Sequence, residues 1–113
     1  MNKSKTLIVI LILLSACTKN LINVEFIEIK NDTARFDIKN HSEKDLDRIT
    51  VKIMYLNENN SVILTDTISY KMNKEDESNK PFLKAGEETF IIQKIPNNCI
   101  LARIKILDMG FTK

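Results

Sequence analysis

Few residues in this chain could act as nucleophiles or as bases. The chain has two cysteines, Cys17 and Cys99, and one histidine, His41. A catalytic thiol needs a nearby base that removes its proton. His41 lies in a polar stretch far from Cys99 in the sequence. A Cys–His site would therefore require the fold to bring these two residues together, and nothing in the sequence predicts that it does.

Cys17 ends a segment that has the composition of an export signal. The segment has a basic start, an aliphatic run over residues 7–14 and small residues before the cysteine. Such signals are removed from the mature protein. The run is only eight residues long, whereas about 20 are needed to cross a bilayer, so the sequence does not predict a transmembrane anchor. An ordinary secretory signal with an accidental cysteine is the alternative interpretation.

The last four residues of this segment, Leu14, Ser15, Ala16 and Cys17, resemble the lipobox of bacterial lipoproteins. The resemblance implies that a signal peptidase recognises the first three and cuts before Cys17, whose thiol carries a diacylglyceryl group. Each buried methylene contributes about 0.8 kcal/mol, so two or three acyl chains would hold the protein permanently in a membrane. Residue 18, directly after the cysteine, is threonine instead of the aspartate that would retain the protein. In this the chain resembles lipoproteins that two-membrane bacteria send to the periplasmic side of the outer membrane.

A lipid on Cys17 would leave Cys99 without an intramolecular partner. Such a cysteine in an exported protein is either buried or joined to another molecule. Cys99 opens an apolar run over residues 99–102, and a free cysteine packs like a small apolar side chain. The sequence therefore favours burial of Cys99 over an intermolecular disulfide.

The mature chain is small and formally neutral. Removal of residues 1–16 leaves 97 of the 113 residues, enough for one domain. We expect residues 17–22 to form the lipidated cysteine and a short tether, and residues 23–113 to form the domain. Without Lys3 and Lys5, 15 of the 17 basic residues remain, equal to the 15 acidic residues. A neutral domain has no electrostatic drive toward nucleic acid or anionic lipid. The acyl chains on Cys17 are therefore the predicted membrane contact.

Alternation of apolar and polar residues predicts β-strands along the mature chain. The clearest strand contains Ala34, Phe36 and Ile38, which alternate with charged residues and predict one buried and one solvated face. Residues 24–29 predict an earlier strand in which either Phe26 or Ile27 points inward. The strand over residues 49–56 ends apolar on both faces, which is typical of a central strand.

Further strands are predicted over residues 62–70, 89–92 and 100–107, and the last of them places Ile100 on the same face as Ala102. Two asparagine-rich turns, at residues 57–60 and 96–98, would connect strands, with asparagine supplying the positive φ that a tight turn needs. The larger core side chains are expected to be Phe26, Phe36, Tyr55 and Phe90.

Residues 53–57, Ile-Met-Tyr-Leu-Asn, resemble the F-x-L-Y-D region of FxLYD-type immunoglobulin-like domains, which are common in exported bacterial proteins. Ile53 stands where the phenylalanine would be, and Asn57 replaces the aspartate. Residues 81–87 resemble the L-x-P-G-E corner of the same family, with Ala85 in place of the proline. The resemblance implies an all-β, antiparallel, two-sheet immunoglobulin-like sandwich of about seven strands, and the export signal implies a cleaved signal helix before it. It implies no catalytic residue.

The sequence favours a function that depends on contact with another molecule. Phosphate-binding glycine loops, zinc-spaced Cys/His sets and nucleophile elbows are absent. The acidic run at residues 75–77 has neither the alternate spacing nor the glycine of a calcium loop. We therefore interpret the protein as a non-enzyme without metal or cofactor.

Within that interpretation, we expect a lipid-anchored envelope module that binds another envelope protein, as an accessory subunit or an inhibitor. Residues 41–47 and 71–80 are the expected contact loops, because loops carry recognition while strands hold the scaffold. A carrier or sensor of small ligands is the alternative, and it would need an apolar pocket of several hundred cubic ångströms.

Overall fold

The computed structural model describes residues 21–71 and 81–112. Cys17, with its predicted recognition residues Leu14, Ser15 and Ala16, and nearly all of the expected contact loop 71–80 lie outside the described residues. None of the described residues forms a helix that is long and apolar enough to cross a membrane. The described part of the chain forms these strands: β1 Ile22–Lys30, β2 Thr33–Asn40, β3 Leu46–Leu56, β4 Val62–Lys71, β5 Glu88–Lys94 and β6 Leu101–Phe111.

The strands form two antiparallel sheets, ordered β1-β2-β5 and β4-β3-β6. This architecture confirms the predicted all-β, two-sheet sandwich, with six strands in the described residues where about seven were expected. The predicted central position of β3 is also confirmed, since β3 pairs with β4 on one side and with β6 on the other. β1 begins at Ile22, the last residue of the expected tether, and Ile22 is already buried.

The core lies between the two sheets, and the alternation in β2 and β3 supplies its centre. Phe36 is fully buried on β2 and lies 5.8 Å, centroid to centroid, from the ring of Phe26 on β1. Every second residue on β2 and β3 is buried because side chains alternate between the faces of a strand. The fully buried members of this set are Ala34, Phe36, Ile38, Ile49, Val51, Ile53 and Tyr55.

Phe90 does not join the core, which corrects the sequence-based expectation. Its side chain is 52% exposed, and its backbone pairs with Asp37, whose side chain points to the outer face of β2. The guanidinium of Arg35 lies 4.3 Å from the centroid of the Phe90 ring. Ile91, which pairs with Phe36, fills the core position on β5 instead.

Bulges decide the inward faces of β1 and β6. Phe26 pairs with Phe36 and Glu28 pairs with Arg35, so Ile27 is an extra residue and is exposed. This bulge resolves the choice between Phe26 and Ile27, because an inserted residue leaves the ladder unpaired and shifts the alternation by one.

In β6 the register likewise shifts between Ile106 and Asp108, which leaves Leu107 unpaired and exposed. Ile100 precedes β6 and is 60% exposed. The expectation that Ile100 shares the face of Ala102 was therefore wrong.

The strands run up and down, so the connections lie at two ends of the sandwich. The Leu21 end holds Leu21, the β2–β3 loop, residues 81–87 and Thr112. The hairpin end holds the β1–β2 turn, the β3–β4 turn and the β5–β6 connection. Asn31, Asp32, Asn60 and Asn98 take positive φ angles in these hairpin-end turns, so the predicted role of asparagine in the turns at residues 57–60 and 96–98 is confirmed.

Asn40 organises the Leu21 end. It is only 1% exposed, and its side-chain amide donates to the carbonyls of Lys44, Leu83 and Lys84 at 2.9–3.2 Å. Its side-chain oxygen accepts hydrogen bonds from the backbone nitrogen and the hydroxyl of Ser42, at 2.9 and 2.6 Å. A buried amide is stable only when it is paired in this way. Asn40 therefore fixes the β2–β3 loop against residues 81–87.

Candidate functional site

The two residues that could form a thiol–base pair lie at opposite ends of the sandwich. His41 is at the Leu21 end, where its backbone nitrogen donates to the Leu21 carbonyl at 2.8 Å. Cys99 is at the hairpin end, beside Ile100, whose backbone nitrogen donates to the Leu56 carbonyl at 2.9 Å. The 11 residues of β3 separate these positions, which corresponds to about 35 Å at 3.3 Å per residue. The fold therefore does not assemble this pair.

Cys99 is buried, as the apolar run predicted. Its side chain is 8% exposed, and its sulfur donates to the Leu101 carbonyl at 3.3 Å. It forms no disulfide within the described residues. Cys99 therefore acts as a small packing residue at the hairpin end.

The described residues contain no group of three or more His, Cys, Asp or Glu side chains placed to hold a metal ion. The ion pairs among them join neighbours on strand surfaces, such as Arg35 with Asp37 at 3.0 Å. Charges of this kind are solvated and interact weakly. In the part of the chain that the structure describes, the charged side chains thus form surface pairs instead of a converging set.

Tyr55 carries a buried hydroxyl for which no hydrogen-bond partner exists among the described residues. Burial first, and then the negative charge of Asp66, raises the pKa of this hydroxyl from 10.0 to about 12, with smaller contributions from Cys99 and Tyr70. Asp66 pairs with Ile53 on the neighbouring strand, two positions along from the pair of Tyr55 and Leu64 and therefore on the same face of the sheet. The inner side of this sheet therefore carries two polar groups, the Tyr55 hydroxyl and the Asp66 carboxylate, where β3 pairs with the edge strand β4.

Tyr55→Phe is expected to leave the protein at least as stable at pH 7, because it removes an unpaired buried hydroxyl and keeps the ring. Between pH 10 and 12 the folded state keeps the Tyr55 proton while the unfolded state releases it. Ionisation of Tyr55 therefore favours the unfolded state, and the parent protein loses stability as the pH rises from 10 to 12, whereas below pH 10 it loses none from this group. The free energy of unfolding of the Phe variant, relative to that of the parent, should therefore increase over that window by on the order of 2 kcal/mol. Urea titrations at pH 7, 10 and 11.5 measure the difference.

The matched control is Tyr70→Phe. The hydroxyl of Tyr70 accepts a hydrogen bond from Gln93 at 3.0 Å, so its removal should cost about 1 kcal/mol at pH 7. If Tyr55→Phe lowers the free energy of unfolding at pH 7 as much as Tyr70→Phe does, the Tyr55 hydroxyl has a hydrogen-bond partner.

Two clefts at the hairpin end are open to solvent and are lined mainly by polar residues. One, of about 410 Å³, is lined by the β3–β4 turn together with Asn98 and Ile100. Another, of about 280 Å³, lies by the β1–β2 turn, with Glu28, Lys30 and Arg35 among its lining residues. A carrier of small apolar ligands would need a concave pocket lined mostly by apolar side chains. These clefts do not have that composition.

Four exposed apolar side chains lie at the hairpin end, and we call them the hairpin-end patch; one of them, Ile100, lines the larger of these two clefts. Val62 pairs with Leu56 on one side, and Ile100 bonds to the Leu56 backbone on the other. The β4 register shifts at this point, so Ile63 is left unpaired between Val62 and Leu64, where the regular ladder resumes. The members of the patch are Val62, Ile63, Leu64 and Ile100.

The loops at residues 41–47 and 71–80 were expected to contact a partner, and that expectation stays a prediction. The loop at residues 41–47 is held in place by the Asn40 network and by the Asp45 carboxylate, which accepts a hydrogen bond from the Ala85 nitrogen at 2.9 Å. The loop at residues 71–80 lies outside the described residues except for Lys71, which ends β4. Sequence reasoning missed the patch, although three consecutive apolar residues directly after a turn, Val62 to Leu64, were a signal for it.

Comparison with known proteins supports the fold. No family model matches the sequence, and no curated protein matches it. The structure is similar to the crystal structure of a DUF1425 family member from Shewanella sp. pv-4, with 15% sequence identity, a TM-score of 0.56 and 77% of each chain covered. A similarity at this identity concerns the fold alone. The chain thus has a β-sandwich domain of a kind that is also found in a bacterial protein.

Proposed function

We propose that this protein is a lipid-anchored lipoprotein of the bacterial envelope whose β-sandwich binds another envelope protein, as an accessory subunit or an inhibitor, without catalysis. The lipobox resemblance of residues 14–17 supports the anchor. The likeness of residues 53–57 and 81–87 to FxLYD-type domains supports an immunoglobulin-like module of exported bacterial proteins. The observation that carries the proposal is the hairpin-end patch, whose exposed apolar side chains lie at the same end of the sandwich as a polar cleft.

An apolar group with a polar rim is the arrangement found at protein interfaces. Ile100 is the most exposed of the large apolar side chains in the described residues, at 60%, and the cleft beside it is lined by Asn57, Glu58, Asn59 and Asn98. Asparagine side chains both donate and accept hydrogen bonds. The surface can therefore bury apolar area and satisfy polar groups of a partner at the same time.

The position of the patch relative to the anchor also supports this proposal. Only residues 18–20 separate Cys17 from Leu21, and four peptide steps span at most about 14 Å. A lipid on Cys17 would therefore keep the Leu21 end near the bilayer. The hairpin end lies at the other end of β3, about 35 Å away, where it can reach a partner in the envelope.

Site-specific photocrosslinking in the native envelope tests the proposal. A photoreactive residue replaces Glu58 at the hairpin end in one variant and Glu43 at the Leu21 end in the matched control, and both positions are exposed. We expect a discrete protein adduct from position 58 and none from position 43. Ile100→Asn should reduce the position-58 adduct while leaving the far-ultraviolet circular dichroism unchanged.

Two outcomes would contradict the proposal. An adduct from position 43 alone would place the contact at the Leu21 end. Absence of any adduct, together with a small molecule recovered from the purified protein, would favour the alternative of a ligand carrier or sensor.

A further inference from the structure

β4 is the least protected edge strand in the described part of the chain. Edge strands expose unpaired backbone groups, and proteins usually shield them by short length, bulges or charges. β5 has only seven residues. β1 and β6 each contain a bulge in mid-strand and several charged residues. β4 has ten residues, and the shift in its ladder lies at its first residues, next to the hairpin-end patch.

Between Leu64 and Tyr70, β4 forms a regular ladder with β3 and carries one charged residue, Asp66. Thr65, Thr67 and Ser69 occupy the outer face, and threonine favours strands. The other side of β4 pairs with no strand among residues 21–71 and 81–112. A regular, mostly uncharged edge of this length can accept an added strand, which is a common mode of peptide recognition.

Asp66 determines which strand this edge would accept. It pairs with Ile53, so its carboxylate lies on the inner side of the sheet, in line with Leu64 and Ile68. No ion-pair partner for Asp66 exists among the described residues. A charge that points inward on an edge strand discourages indiscriminate pairing. An added strand with a basic residue opposite Asp66 would instead gain a cross-strand pair of opposite charges.

We propose that the β4 edge binds an extended segment of another protein in which a lysine or arginine lies opposite Asp66 and apolar residues lie two positions away on each side. This proposal rests on the proposed function and names its partner class. The apolar residues would cover Leu64 and Ile68, and the basic residue supplies the specificity. A second copy of this chain that aligned Asp66 with Asp66 would place like charges opposite each other, which is unfavourable.

The test measures binding of designed peptides to the full-length protein in detergent micelles. Each fluorescent nine-residue peptide alternates Val and Thr and has Lys, Gln or Glu at its centre. We expect the Lys peptide to bind about tenfold more tightly than the Glu peptide, with the Gln peptide between them. Asp66→Lys should reverse this order, and Asp66→Asn should remove the difference.

Glu25→Lys on β1 is the matched control, because it makes the same kind of charge change on an exposed position of the other sheet's edge strand. It should leave the peptide preference unchanged. Amide hydrogen exchange provides an independent readout, since the Lys peptide should slow exchange in β4 and not in β1.

Equal binding of all three peptides, slowed exchange elsewhere, or β4 protection in a peptide-free dimer would overturn the proposal. The crosslinking from Glu58 separates this result from the proposed function. A protein adduct at position 58 with no peptide preference at Asp66 removes the strand-addition proposal and leaves the interaction module in place.

Discussion

Replacing Phe36 with alanine is expected to lower the free energy of unfolding by about 3–5 kcal/mol. Phe36 is fully buried, contacts the Phe26 ring and pairs with Ile91 across the sheet. Its truncation removes apolar area from the centre of the core and leaves a cavity between the sheets. Small domains are stable by only about 5–15 kcal/mol, so the loss is a large share of the total. Denaturant titration of the purified protein measures it.

Phe90→Ala is the matched control, since it makes the same chemical change on a neighbouring strand. Phe90 is 52% exposed and contacts Arg35 on the outer face, so the expected loss is about 1 kcal/mol or less. Equal losses at the two positions would mean that the inner and outer faces of this sheet are assigned incorrectly. If Phe36→Ala does not fold, Phe36→Leu keeps most of the apolar volume and should show a smaller loss in the same direction.

Replacing Cys17 with serine is expected to abolish lipid attachment and leave the precursor uncleaved. The thiol is the acyl acceptor in the lipobox interpretation of Leu14, Ser15, Ala16 and Cys17, and the hydroxyl of serine cannot replace it. The precursor would keep residues 1–16, whose apolar run is too short to span a bilayer, and would carry no acyl chain, so its membrane attachment should be weaker than that of the parent. Mass spectrometry of the N-terminal peptide and sedimentation with membranes measure the two effects.

Cys99→Ser is the control for this experiment. Cys99 is buried in the folded domain, so its replacement should leave the lipid on Cys17 and the membrane attachment intact. A mature parent protein that begins at another residue and carries no lipid would contradict the anchor. In that case the proposed orientation of the hairpin end would lose its support, while the strand-addition proposal for β4 could still be tested.

The sequence by itself predicted the β-sandwich, the buried face of β2, the central position of β3 and the turns that join the strands. It could do so because apolar and polar residues alternate strictly around Phe36, and because side chains alternate between the two faces of a strand. β3 could be identified as central since it is apolar on both faces at its end. The export signal and lipobox resemblance of residues 1–17 are equally local patterns, and they remain predictions.

The tertiary structure decided which residues face inward wherever apolar residues follow one another. Phe90, Ile91 and Ile92 are consecutive, so their pairing with β2 alone determined that Ile91 is buried. The bulge at Ile27 likewise depends on the register between β1 and β2.

The sites of proposed contact are also tertiary features. The burial of Asn40, the edge position of β4 and the separation of His41 from Cys99 arise from residues distant in sequence that meet only in the fold. A local sequence pattern does not show which strand lies at the edge of a sheet. A strand lies at an edge when its backbone groups on one side are not paired with another strand, and this depends on how the whole chain folds.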